Sequence, residues 1–300
     1  MIPAALAVRG DLDRLLPRVE GRLLEAFQDG EAARLGEAMR YSLSAGGKRV
    51  RPILCLLAAE AVGGAADAAL PGALALELIH TYSLVHDDLP AMDDDDLRRG
   101  KPTCHIAFGE AHAILAGDGL LTEAFRILAG EGAIPPERRA RALEVLAVAA
   151  GWRGMAGGQA LDLEGEALTR EGLDYGLAHL RTIHRLKTGA LLRASLELGG
   201  ILGGGDEAQI EALREAGAAL GLAFQIQDDI LDATSDASTL GKRAGKDCGK
   251  GKITYPALLG LDGARSALQE ATERAVCRLQ SLPNPSSLQA WARYLETREA

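Results

Sequence analysis

Apolar residues recur at three- and four-residue intervals along most of the chain, with charged residues between them. This spacing places the apolar side chains on one face of an α-helix, and it predicts amphipathic helices over residues 12–27 and 35–43. The same pattern predicts further helices over residues 105–129, 137–161, 173–198 and 207–231, with two or three more between residues 258 and 300. The fold is therefore predicted to be all-α.

The segment from Leu70 to Val85 is apolar all around the helix instead of on one face. A surface helix needs a polar face, so this helix is predicted to lie at the centre of the fold. Pro90 cannot continue a helix interior, which predicts that the helix ends near Asp88 and that a loop carrying Asp93 folds back toward it. No apolar run approaches the roughly 18 residues that a membrane span requires, so no span is predicted.

The composition favours one large helical domain, taken as residues 1–300. Hydrophobic residues make up 47% of the chain and aromatic residues only 4%, and the dominant Ala and Leu favour helices over strands. The net charge of −9 argues against nonspecific binding to nucleic acid or to an anionic membrane, because both need a basic surface. The four cysteines form no C-x-x-C pair and the N-terminus lacks the basic region of a signal peptide, so a cytoplasmic protein with reduced thiols is expected.

Six aspartates fall within residues 87–96, and Arg98 and Arg99 follow almost at once. Carboxylates this close repel one another, and solvent, protonation or a bound cation must relieve the repulsion. Hard oxygen ligands suit Mg²⁺ or Ca²⁺, but the calcium-loop pattern fails because Arg98 stands where that pattern needs Gly. Mg²⁺ shared with substrate phosphates is the functional prediction, and a solvated acidic loop is the alternative.

A second acid cluster contains Asp228, Asp229 and Asp232. Asp228 and Asp232 are separated by about 40° around a helix, so their carboxylates point the same way. Their neighbours are apolar, and carboxylates in such surroundings are costly without a metal or a cationic partner. A glycine- and lysine-rich loop over residues 241–252 follows and is predicted to close over phosphates. No P-loop or dinucleotide fingerprint is present, which weakens the case for nucleotide chemistry.

Two other places carry candidate phosphate-binding groups. Two glycines end the preceding helix just before Lys48 and Arg51. These cations lie at a loop-to-helix junction, where exposed backbone N–H groups favour the binding of an anion. Lys187 and Thr188 precede a glycine that can loosen their helix and expose them to a ligand. The alternatives are an ordinary basic loop at the first place and a plain helix surface at the second.

Together these motifs resemble those of the trans-prenyltransferase family of isoprenyl diphosphate synthases, and within it the bacterial farnesyl diphosphate synthases. The match extends over nearly the whole chain in the family's motif order, without a departure at the motif positions. The motifs are Gly46-Gly47-Lys48-Arg49-x-Arg51-Pro52, Asp87-Asp88-x4-Asp93 with Arg98-Arg99-Gly100, Gly157-Gly158-Gln159, Lys187-Thr188, Phe224-Gln225-x-x-Asp228-Asp229-x-x-Asp232 and the 241–252 loop. The resemblance implies the isoprenoid synthase fold, a bundle of roughly 10–13 helices around a large central cavity, and a homodimer.

The resemblance also implies a role for each motif residue. About three Mg²⁺ ions would hold an allylic diphosphate, and their ligands would be Asp87, Asp88, Asp93, Asp228, Asp229 and Asp232. The allylic diphosphate would also contact Arg98, Lys187, Thr188, Gln225, Lys242 and Lys252. Isopentenyl diphosphate would bind at Gly47, Lys48, Arg51, His80 and Arg99. The catalytic set would be Asp87, Asp88, Asp93, Arg98, Lys187, Asp228 and Lys242.

The implied reaction is the head-to-tail condensation of dimethylallyl diphosphate, and then geranyl diphosphate, with isopentenyl diphosphate to give (2E,6E)-farnesyl diphosphate. In this family the fifth residue before the first aspartate acts as a floor for the growing chain, and here that residue is Tyr82, with the small Ser83 beside it. Tyr82 lies about 7.5 Å from Asp87 along the helix, while the rotation of about 140° leaves its orientation open. A bulky residue at this position resembles the members that make a fifteen-carbon product.

Four other functions stay open. Geranylgeranyl diphosphate synthase is the nearest alternative. A non-catalytic regulatory subunit of a heteromeric synthase is disfavoured because both acid motifs are intact. A terpene cyclase would not need Lys48, Arg51 and Arg99 for a second diphosphate, and a purely structural helical protein would leave the second acid cluster unexplained.

Overall fold

A computed structural model of the protein describes residues 4–28, 30–130, 132–170, 176–234 and 253–298. Within these ranges the chain forms thirteen α-helices and one short hairpin, which confirms the predicted all-α class. The helices are α1 (Ala4–Glu25), α2 (Ala33–Leu43), α3 (Val50–Ala61), α4 (Ala66–Asp87), α5 (Cys104–Phe108), α6 (Glu110–Gly130), α7 (Pro136–Ala150), α8 (Met155–Arg170), α9 (Leu177–Lys187), α10 (Gly189–Gly203), α11 (Glu207–Thr234), α12 (Tyr255–Leu279) and α13 (Ser286–Thr297).

Helix α4 lies at the centre of the bundle and packs against α3, α6 and α10. Most of its side chains are buried, as the apolar stretch predicts. By length and composition α4 could also cross a membrane, which corrects the prediction that no apolar run approaches that length. Because 61% of its apolar window is buried among other helices, its place in the core accounts for that composition.

Glycines allow α10 to approach α3 closely. A Cβ on Gly199 would lie 2.1 Å from the carbonyl oxygen of Cys55, and one on Gly203 would lie 2.7 Å from the Cα of Ala59. Both neighbours are backbone atoms, which cannot move aside as the end of a side chain can. The spacing of the two helices therefore depends on the absence of a side chain at these two positions.

Three predicted helices are interrupted, and these predictions were wrong in that respect. The 105–129 helix breaks at Gly109, which has a φ of 88°. Glycine adopts this angle easily, but a residue within a right-handed helix cannot. The 137–161 helix ends at Ala150 and restarts at Met155, and the 173–198 helix breaks at Thr188. The 207–231 helix is confirmed as α11, which begins at a capping box in which Asp206 and Gln209 each bond the other's backbone N–H, at 2.9 and 3.0 Å.

The loop after α4 folds back onto the end of that helix, as Pro90 predicts. The backbone N–H of Asp93 donates to the carbonyl of Asp87 at 2.8 Å. A hairpin follows, in which β1 (Leu97–Arg98) pairs with β2 (Lys101–Pro102). Its two central residues, Arg99 and Gly100, have φ of 53° and 77°, the positive values of a tight type I′ turn. The loop and the hairpin together bring the first acid cluster and both arginines to one end of α4.

Candidate active site

Two adjoining cavities open at the end of α4. Cavity A has a volume of about 280 Å³ and is lined by Asp87, Lys187, Thr188, Gln159, Tyr82 and Ser83, among others. Cavity B has a volume of about 630 Å³ and is lined by Gly47, Lys48, Arg99, Glu77, Asp228 and Arg298, among others. Arg51 and His80 line both cavities, so the two spaces meet at these side chains.

In the first acid cluster, Asp87 and Asp88 have different surroundings. Asp88 is 3% exposed, and both of its carboxylate oxygens accept bonds from Arg98, at 2.6 to 2.9 Å. Asp87 faces cavity A, and burial raises the pKa of its carboxyl group to about 6, against the positive charge of Lys187, while the negative charge of Asp93 raises it further. Asp88 is thus neutralised by the protein, whereas Asp87 is a partly buried acid that a cation in cavity A would stabilise.

Lys187 reaches cavity A from the end of α9, where Thr188 interrupts the helix. Its ammonium group donates to Asp162 at 2.6 Å. A Cβ on Gly158 would lie 2.1 Å from the backbone nitrogen of Lys187, so this glycine lets α8 lie directly against the break. The Gly157-Gly158-Gln159 motif therefore has a structural reason, because it brings both Lys187 and Gln159 to the same cavity.

Cavity B is basic. The Nε of Arg51 is buried and has no hydrogen-bond partner in the described part of the chain, so it is a donor available to an anion. Burial, followed by the positive charges of Arg51 and Arg99, lowers the pKa of His80 well below its usual range, so His80 is neutral near pH 7. Gly47 has a φ of 143°, and a Cβ there would lie 2.5 Å from a guanidinium nitrogen of Arg99. The glycine thus makes room for Arg99 beside Lys48.

The three aspartates of the second acid cluster have different surroundings. Asp228 lines cavity B and forms an ion pair with Arg298, whose guanidinium also lies 4.1 Å from the ring centroid of Phe224. Asp229 is turned toward α12, where it accepts a hydrogen bond from the backbone N–H of Tyr255 at 2.9 Å. Asp232 is exposed. Gln225 lines neither cavity, so the structure does not bring all of the predicted residues of this helix to one site.

No three His, Cys, Asp or Glu side chains within the described ranges lie close enough to hold a metal ion by themselves. The donors still fit Mg²⁺ shared with a diphosphate, because Asp87 and the adjacent Asp93 supply hard oxygen atoms. The partly buried carboxylate of Asp87 would also be stabilised by a cation. Lys242 and Lys252, predicted to close over the phosphates, lie outside the described residues.

Sequence reasoning missed two groups of residues. It assigned no chemistry to residues 258–300, yet Trp291, Tyr294 and Arg298 line cavity B. It also missed Arg49 and Glu77, which form a buried ion pair in the wall of that cavity. A signal existed for Glu77, since it is an acidic residue within the otherwise apolar run of α4. The sequence carried no such signal for Arg298, which lies 70 positions from its partner Asp228.

Comparison with known proteins gives a consistent result. The family model described as polyprenyl synthetase matches residues 32–283. A farnesyl diphosphate synthase of Geobacillus stearothermophilus is 50% identical over 277 residues, which cover 92% of this chain and 88% of that protein. The large subunit 1 of a heterodimeric geranylgeranyl pyrophosphate synthase from Arabidopsis thaliana chloroplasts is 48% identical over 90% of this chain and 73% of that protein.

Solved structures agree over nearly the full length. A FPP/GFPP synthase from Zymomonas mobilis in its apo form matches with a TM-score of 0.87 and 38% identity, covering 98% of this chain and all of that one. A geranylgeranyl pyrophosphate synthetase from Pyrococcus horikoshii matches with a TM-score of 0.88 and 35% identity, covering 98% of this chain and 99% of that one.

Proposed function

The chain belongs to the polyprenyl synthetase family and is a prenyl diphosphate synthase, and we propose that its main product is farnesyl diphosphate. The observation that carries the proposal is the pair of cavities that meet at Arg51 and His80. Cavity A combines the partly buried Asp87 with Lys187, and cavity B is lined by several basic side chains. A reaction that joins two diphosphate substrates needs two anion sites side by side, with different chemistry in each.

We assign the allylic diphosphate to cavity A and isopentenyl diphosphate to cavity B. Asp87 and Asp93 would hold Mg²⁺, which would supply positive charge to the leaving diphosphate. Asp228 lines cavity B, where it is paired with Arg298. Lys187 beside Asp87 adds a fixed positive charge on the same side. Lys48 and Arg51 are suited to the second diphosphate, because both are cations and the Nε of Arg51 has no hydrogen-bond partner among the described residues.

The reaction follows from this arrangement. The allylic carbon–oxygen bond breaks and its electron pair leaves with the diphosphate. The double bond of isopentenyl diphosphate attacks the resulting cation, and the proton then lost passes to the released diphosphate. His80 is neutral and surrounded by positive charge, which makes it a hydrogen-bond donor rather than a base for this proton. The apolar lining of cavity A, which includes Met92 and Met155, excludes water that would trap the cation.

A fifteen-carbon product is supported by the position of Tyr82. Its side chain lines cavity A, the same cavity as Asp87, and its ring packs edge-on against His86 with centroids 5.8 Å apart. A large ring there would limit the length of the chain that grows away from Asp87. Geranylgeranyl diphosphate is the second candidate product, because a relative named as a geranylgeranyl pyrophosphate synthase subunit is 48% identical to this chain, against 50% for the farnesyl diphosphate synthase.

Incubating the purified protein with dimethylallyl and isopentenyl diphosphates and Mg²⁺, followed by chromatography of the dephosphorylated products, tests the proposal. Farnesol as the main product is the expected result. Geranylgeraniol as the main product would favour the second candidate, and no consumption of isopentenyl diphosphate would overturn the proposal and favour a regulatory subunit or a cyclase. Light scattering on the same sample tests the further proposal of a homodimer, and fractionation of its cells tests that of a cytoplasmic location.

A further inference from the structure

Two buried carboxylates lie on the same side of α4, Glu77 within the helix and Asp88 directly after its last residue. Glu77 and Asp88 are eleven positions apart (88 − 77), which is about three helical turns and about 20° from perfect alignment. Each is 3% exposed. A narrow cavity of about 30 Å³ is lined by both of them and by the consecutive arginines Arg98 and Arg99. The mechanism above uses neither carboxylate to contact substrate.

Each carboxylate has its own arginine partner. Asp88 binds Arg98, which lies beside Asp87 of cavity A. Glu77 accepts a bond from Arg49 at 2.5 Å, and its negative charge also attracts Arg51 and Arg99 of cavity B. The two carboxylates therefore bind different arginines, Asp88 at the end of α4 and Glu77 about three turns earlier.

Arg49 fixes the loop that forms one wall of cavity B. It is 4% exposed and lies directly between Lys48 and the start of α3. Its backbone has φ of 45° and ψ of 34°, a left-handed conformation that costs a residue other than glycine of order 1 kcal/mol and needs support from its surroundings. That support consists of its bonds to Glu77, to Glu20 at 2.6 Å and to the carbonyl of Leu43 at 2.6 Å.

We propose that Glu77 is a positioning residue for the isopentenyl diphosphate site. Its carboxylate holds Arg49, and through it the Lys48 loop, and it keeps Arg51 and Arg99 together in cavity B before any diphosphate arrives. A carboxylate in direct contact with a diphosphate would repel it, so Glu77 acts through the cations and not on the substrate. The inference rests on the proposed function of cavity B.

The test replaces the charge and keeps the shape. Glu77→Gln should weaken the binding of isopentenyl diphosphate by about tenfold or more, which is the effect of losing a hydrogen bond between charged groups. Its KM for isopentenyl diphosphate should rise by that factor, while its KM for the allylic substrate and its kcat should change less than about threefold. Calorimetry with isopentenyl diphosphate alone in EDTA, where no turnover occurs, should show the same loss in Kd.

Glu60→Gln is the matched control, because Glu60 also binds an arginine, Arg14, at 2.8 Å, but on the surface and away from both cavities. It should leave both KM values and Kd unchanged. Arg49→Lys provides a second variant in case Glu77→Gln does not fold, because it keeps a cation beside Glu77 and loses the forked contacts. It should raise the same KM selectively.

The possible results separate the two proposals. A wild-type protein that binds isopentenyl diphosphate, with variants at Glu77 and Arg49 that bind it equally well, overturns the role of Glu77 alone. Equal loss for both substrates also overturns it, because that pattern indicates a general structural defect. A wild-type protein that neither binds nor consumes isopentenyl diphosphate overturns the proposed function, and the inference fails with it.

Discussion

Replacing Tyr82 with Ala should lengthen the product. Tyr82 lines cavity A together with Asp87, and that cavity holds only about 280 Å³. One methylene group in an apolar pocket changes discrimination by about 1–3 kcal/mol, which is roughly 10- to 200-fold. A further prenyl unit adds five carbons, so removing the obstructing ring should raise the ratio of twenty- to fifteen-carbon product by at least about tenfold.

The stability cost of this change should be modest. Truncating a fully buried aromatic residue costs about 3–5 kcal/mol, but Tyr82 is only partly buried and faces a cavity, so a loss of about 1–2 kcal/mol is expected. The variant should therefore remain folded and active at assay temperature. Chromatography of the dephosphorylated products gives the ratio, and a urea unfolding curve gives the stability.

Two controls define what the ratio means. Tyr82→Phe keeps the bulk and removes the hydroxyl, so it should leave the product unchanged. Tyr41→Ala makes the same truncation at a tyrosine that bonds the Pro102 carbonyl and lies outside cavity A, so it should cost stability without changing product length. The reasoning is refuted if Tyr82→Ala is active and still stops at fifteen carbons, or if Tyr41→Ala lengthens the product equally.

Three other predictions concern stability and metal. Asp229→Ala should lower the free energy of unfolding by about 1–3 kcal/mol, because the Tyr255 N–H loses its acceptor, while Asp229→Asn keeps an acceptor and should lose less; equal losses in urea unfolding would contradict this. The pKa of His80 is lowered in the folded state, so below about pH 6.5 the unfolded chain binds a proton that the folded chain does not. The free energy of unfolding should therefore decrease as the pH is lowered, by up to about 1.4 kcal/mol per pH unit. His80→Gln should remove that contribution. If the wild type and His80→Gln lose the same free energy of unfolding between pH 7.5 and pH 5.5, the prediction is contradicted. EDTA should abolish turnover yet leave Tm unchanged, since the described aspartates form no metal cluster that the fold depends on; a lowered Tm would show otherwise.

Local signals in the sequence predicted the parts of the site that are close in the chain. Pro90 ends α4 and turns the acidic loop back, so the closeness of Asp87 and Asp93 followed from a few neighbouring residues. The orientation of Tyr82 could not be predicted, because a rotation of about 140° relative to Asp87 has no meaning until the surrounding helices are placed. Cavity A supplies that placement.

Contacts between distant segments account for the remaining errors. The pairing of Asp228 with Arg298 joins two helices that are remote in the chain, and no periodicity reports it. The break at Thr188 was underestimated, because the residues on both sides favour a helix and only the close packing of Gly158 against Lys187 shows why the chain turns there. Asp229 follows Asp228 directly, and only the position of Tyr255 reveals that its carboxylate supports the fold.

The glycine contacts between α10 and α3 also limit how this protein can change its sequence. Helix α3 carries Arg51 in its first turn, while Gly199 and Gly203 press against its later turns at Cys55 and Ala59. Any side chain there would push on backbone atoms, so a substitution would tilt the helix and displace the Arg51 guanidinium, which lines both cavities. Libraries that aim to change product length should keep both glycines fixed and vary side chains that face cavity A, such as Tyr82 and Ser83.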